Sequence, residues 1–99
     1  MLELDKIECA QFAACLDQDF FVTTQSVQIH LKLTEARSLG STHSGAVRTP
    51  FTLTFQGAPN LLLPQGIYPV SHSLLGPMDL FLVQTGADRK GSYFEAVFT

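Results

Sequence analysis

The residues that could do chemistry in this chain are few, and their spacing does not suit them for it. His30, His43 and His72 are its three histidines, and a metal centre would want further Cys, His or carboxylate ligands a few positions away on one turn or face. None stands there. His30 and His72 read as solvated residues on strands. His43 lies among Ser41, Thr42 and Ser44, but a hydroxyl–imidazole pair needs a base held in line, and the Gly-x-Ser-x-Gly elbow is absent. Loop composition is the expectation for it.

Cys9 and Cys15 are the only cysteines. On a helix their Cα atoms would stand about 10 Å apart, beyond the ~7 Å a disulfide tolerates, so two small buried side chains are expected. Among the carboxylates, Asp17 and Asp19 flank a turn, and Asp79 and Glu95 fall on separate strands. Pairing the last two strands about Gly86–Gly91 sets Asp79 near Phe98, not opposite Glu95, so no acid–base dyad forms. Glu95 is the one charged residue in an otherwise apolar strand; solvent, a partner, or an ion pair with Arg48, Arg89 or Lys32 would accommodate it. Gly40 and Gly45 bracket a stretch lacking the Lys-Ser/Thr of a phosphate loop. These residues point to no enzyme, no metal and no cofactor.

Composition narrows the remaining classes. Ninety-nine residues make a single domain over 1–99, with one core and no second lobe. Charged residues are only 15% of the chain, below the ~25% usual for soluble domains, which leans toward a subunit that buries surface. The net charge is −3 with scattered cations, so no basic face exists for nucleic acid. Eight Phe and two Tyr could stack bases, but without a basic groove core packing explains them better. The apolar stretches are far shorter than the ~20 residues of a membrane helix. Glu3, Asp5 and Glu8 stand where a secretory leader would be basic and then apolar, so a cytoplasmic location is expected.

The elements carrying these residues read mostly as strands. Residues 5–16 predict a short amphipathic helix, with Ile7, Ala10 and Ala14 on one stripe and Phe12 and Leu16 extending it. Asp5 would cap it, with Glu8 completing a capping box. Phe20–Thr24 suits a strand. Val27, Ile29, Leu31 and Leu33 then alternate with polar residues, which predicts a half-buried strand continuing through Ala36. Residues 38–50 read as a loop. Phe51–Phe55 alternates again, Ile67–His72 follows, and Pro69 predicts an edge position or a bulge for that strand. In Met78–Gln84, Met78, Leu80 and Leu82 face one way while Phe81 and Val83 face the other. In Ser92–Phe98, Tyr93 and Val97 oppose Phe94, Ala96 and Phe98. Both faces of this hairpin are apolar and both want cover.

Phe55-Gln56-Gly57, Leu63-Pro64-Gln65-Gly66-Ile67-Tyr68, Leu75-Gly76, Leu80-Phe81-Leu82-Val83 and Tyr93-Phe94-Glu95-Ala96-Val97-Phe98, in this order, resemble the pattern of a family of small uncharacterised bacterial proteins. The match is strong over the carboxy-terminal half and weaker at Phe12 and Phe20–Val22. This chain has an extra Phe between Tyr93 and Glu95. The family has no known function, so the resemblance supplies no active site; relatives tend to be encoded beside phage-tail-like proteins, which implies an accessory or subunit role in such an assembly.

The expected fold is mainly β: a single antiparallel β-sandwich or partly open barrel of six or seven strands, with one short N-terminal helix plugging an end or covering a face. The expected function is a non-enzymatic structural or protein-interaction module whose partner, a second copy or another protein, covers Met78, Leu80, Phe81, Val83, Tyr93, Phe94 and Phe98. The alternative is a small-molecule-binding barrel with Phe51, Phe55, Tyr68, Phe81 and Phe94 lining an apolar cavity.

Overall fold

The computed structural model describes residues 9–25, 27–38 and 50–98; His43 and Arg48 lie outside them. A short helix, α1 (Cys9–Ala13), precedes six strands: β1 (Asp19–Thr24), β2 (Val27–Ser38), β3 (Phe51–Gly57), β4 (Gly66–His72), β5 (Gly76–Asp88) and β6 (Gly91–Phe98). Neighbouring strands are antiparallel, in the order β1-β2-β3-β6-β5-β4, and β4 returns to β1 to close a barrel. The fold is mainly β with one short N-terminal helix, as expected, but the barrel, expected to be partly open, is closed, with six strands. Closure removes the free edges of an open sheet.

Local chemistry explains the path. Thr24 pairs with Val27, which leaves a two-residue turn, and Gln25 enters it at φ 49, the left-handed geometry such hairpins favour. β2 and β5 are the long strands and each contains a bulge, between Leu33 and Glu35 and between Gln84 and Gly86. The residue set aside is a threonine both times. Thr34 Oγ1 donates to the Thr54 carbonyl at 3.1 Å and Thr85 Oγ1 to that of Tyr93 at 3.5 Å, so side-chain bonds tie the interrupted ladder together.

Pro69 lies on neither an edge nor a bulge, contrary to the expectation from its missing N–H. β4 has a neighbour on each side, but its pairing with β1 is short: Phe21 with Ser71 and Val22 with Val70. The next pair would set Thr23 opposite Pro69. The proline is accommodated where that seam stops.

The inward faces of all six strands form one core, and α1 plugs an end of the barrel through Phe12. Its ring is fully buried, with centroids 5.5 Å from Phe98, 5.9 Å from Phe51 and 6.4 Å from Phe20. Phe51 and Phe98 stack nearly parallel at 4.5 Å. The predicted helical stripe is only partly right: Phe12 and Cys15 turn inward, whereas Ala10, Ala14 and Leu16 are exposed. The α-helix stops at Ala13. Asp17, at φ 65, then donates its N–H to the Leu33 carbonyl at 2.7 Å, which ties the chain after α1 to β2 and leaves Ala14 and Leu16 exposed while Cys15 stays in the core. Residues 5–8 of the predicted helix lie outside the described residues.

Candidate functional site

Barrel closure decides the two apolar faces of the final hairpin. Met78, Leu80 and Leu82 on β5, and Phe94, Ala96 and Phe98 on β6, point inward and are buried. Phe81 and Val83 point outward and remain 46% and 38% exposed. Of the seven residues expected to meet a partner, Met78, Leu80, Phe94 and Phe98 are therefore covered by the chain's own core. Tyr93 is half-buried, and its hydroxyl donates to the Asp88 carboxylate at the hairpin tip at 3.0 and 3.1 Å. Phe81 and Val83 alone of the set are free to act as proposed.

They belong to a larger patch. Ile67 on β4 pairs with Phe81 and is 72% exposed. Val83 pairs with Glu95, and Val97, two positions further along the same face of β6, is 55% exposed. Pro69, beside Asp79, extends the surface. Strands β4, β5 and β6 thus present a continuous outer wall of Ile67, Phe81, Val83 and Val97 in which the charged groups are Asp79 and Glu95. Sequence reasoning left Ile67 and Val97 out of the site. Period-2 alternation from buried Val70 would have placed Ile67 outside, and Val97 shares its face with Glu95.

The residues proposed to line an apolar interior do not share a cavity. Phe51, Phe55 and Phe94 are fully buried in the core, and Phe55 meets Phe20 edge-on at 5.3 Å. Phe81 is on the opposite side of the sheet, and Tyr68 is half-exposed with its hydroxyl donating to the Pro64 carbonyl at 2.5 Å.

His72 corrects a different expectation, for it is buried and not solvated. Nδ1 accepts from the N–H groups of Leu74 and Leu75 at 3.1 and 3.3 Å, so the proton sits on Nε2, which donates to Gln18 Oε1 at 2.7 Å. The ring stacks on Phe20 at 4.6 Å, and burial holds its pKa below the usual imidazole value. Every polar atom of the ring is used in joining β4, its following turn and the chain before β1, a structural role. His30 is exposed as expected, and Nε2 meets Asp19 Oδ1 at 2.5 Å. Cys9 and Cys15 are free thiols, and burial raises both pKa values, the opposite of what a nucleophilic thiolate needs. Among the described residues, no three His, Cys, Asp or Glu come together to hold a metal.

An open groove of about 730 Å³ runs between the β3–β4 connection at Pro59, Asn60 and Leu62 and the hairpin tip at Ala87, Asp88 and Arg89. The connection is clipped in place by Gln84, whose Nε2 donates to the Leu61 carbonyl at 3.1 Å while Oε1 accepts from Leu63 N–H at 3.4 Å. Asp88 is committed to the turn: Oδ1 accepts from the N–H groups of Lys90 and Gly91 at 2.8 and 3.2 Å. Those bonds, led by that of Lys90, hold its carboxyl below the usual range. Ser92 Oγ, at the groove's base, is buried without a partner.

Fold and surface together define a closed six-stranded antiparallel barrel with a buried apolar core and an apolar outer wall on β4, β5 and β6. The chain belongs to the family described as a domain of unknown function (DUF6916), which matches residues 7–98 and agrees with the resemblance to an uncharacterised domain family. No curated protein and no solved structure matches it.

Proposed function

We propose that this chain is a non-enzymatic structural or protein-interaction module that docks through the outer wall of β4, β5 and β6. The observation that carries this reading is the set Ile67, Phe81, Val83 and Val97: large apolar side chains exposed on the outer face of three neighbouring strands, while the inward residues of the same strands are buried in the core. Scattered apolar residues are ordinary on a surface, whereas a contiguous patch spanning three strands is characteristic of a contact site. The closed barrel offers no free edge for strand addition, so a partner packs on the face. Cytoplasmic residence and an accessory or subunit role in a phage-tail-like assembly fit this reading; the assembly role is supported by the sequence resemblance.

Size-exclusion of a tagged chain from its native host tests it. The wild type should elute in a complex larger than itself, and Ile67→Ser/Val97→Ser should release it as a monomer with an unchanged melting temperature. A monomeric wild type, or a complex indifferent to these substitutions, would refute the proposal.

A further inference from the structure

The charge on the wall identifies the chemistry of its partner. Asp79 is exposed beside Pro69 and Phe81, and Glu95 is half-buried between Val83 on β5 and Thr54 on β3. Neither carboxylate has an ion pair among the described residues, where the one pair is His30 with Asp19. No cation can reach them from their own strands, because residues 51–88 and 91–99 contain no Lys or Arg, and Arg89 and Lys90 sit at the hairpin tip. His72 is turned inward. The exposed cations Lys32 and Arg37 belong to β2, which is separated from β6 by β3.

From this we infer that the wall receives an apolar protein surface bearing Lys or Arg opposite Asp79 and Glu95, and not the same wall of a second copy. The inference rests on the docking role proposed above. Two copies packed wall to wall would crowd four carboxylates into an apolar contact without a counter-charge, and like charges facing across an interface are strongly unfavourable. A cation supplied by the partner satisfies a half-buried carboxylate that has no ion pair among the described residues.

Charge reversal separates this inference from the docking role. In the native host, Asp79→Lys/Glu95→Lys should weaken the complex by about tenfold or more, while the isosteric Asp79→Asn/Glu95→Gln should weaken it less. The wild-type complex should dissociate progressively with added salt. Purified chains supply the second measurement: wild type and the double-lysine variant should each be monomeric, and their mixture should associate, since the variant presents an apolar surface carrying lysines. A complex lost with Ile67→Ser/Val97→Ser but untouched by charge reversal would overturn the partner's chemistry and leave the docking role standing. So would purified wild type that dimerises through Phe81, or a mixture that remains monomeric. Circular dichroism of each variant confirms that the barrel is folded.

Discussion

Replacing Phe94 and Phe81 in turn by alanine measures how the barrel divides its apolar residues. Phe94 is fully buried, and truncating such a ring removes transfer energy and leaves a cavity, a cost of about 3–5 kcal/mol. Phe81 is 46% exposed, so roughly half of the ~1.5–3 kcal/mol for burying such a side chain is at stake, about 1 kcal/mol. A domain of this length is stabilised by only about 5–15 kcal/mol. Phe94→Ala therefore removes a large share of the total, while Phe81→Ala remains comfortably folded. Urea unfolding followed by far-ultraviolet circular dichroism reads both, and avoids a tryptophan probe in a chain with no Trp. The expected signature is a midpoint lowered several times more by Phe94→Ala, with similar slopes. Equal losses would show that Phe81 is covered by its own chain, and the outer wall would then not be a free surface.

His72 predicts a pH dependence. Its pKa is lowered in the folded state by burial, so between that value and the ordinary 6.5 the unfolded chain binds more protons. Stability is then greatest above about pH 6.5 and falls as pH drops toward the folded value. Thermal melts from pH 8 to 5 should show the decline, and His72→Gln should flatten it; an unchanged slope would show that other groups cause it. Two glycines should respond oppositely to alanine. A Cβ at Gly91 would lie 2.5 Å from the Gly57 carbonyl oxygen, whereas one at Gly66 meets nothing within 4 Å. Gly91→Ala should cost about 1–3 kcal/mol and Gly66→Ala should be neutral or stabilising by up to about 1 kcal/mol, both read by chemical denaturation.

Gly57 shows how a sequence motif acquires a physical reason only in three dimensions. In Phe55-Gln56-Gly57 the Phe is inward by alternation, but nothing local explains the glycine. The fold does: a Cβ there would approach Leu61 Cδ2 at 2.7 Å and Leu31 Cδ2 at 2.9 Å, because the β3–β4 connection packs down on β2 at that point. The burial of His72 has a similar origin. A histidine ending a strand looks solvated until the turn after it and Gln18, more than fifty residues away, bring their polar groups to the ring.

The sequence by itself determined that the chain is built of strands and which residues share a face, because period-2 alternation is a property of each strand alone; the turn expected over Gly86–Gly91 is only Arg89–Lys90, since β5 runs on until Asp88 pairs with Gly91. It also showed that the last hairpin is apolar on both sides. It could not say which side would be inside, since Leu80 and Phe81 are equally suited to a core. Tertiary closure decided that: with β1 joined to β4 there is one interior, the register places Met78, Leu80, Leu82, Phe94, Ala96 and Phe98 within it, and Phe81, Val83 and Val97 are left on the outer wall beside Asp79 and Glu95.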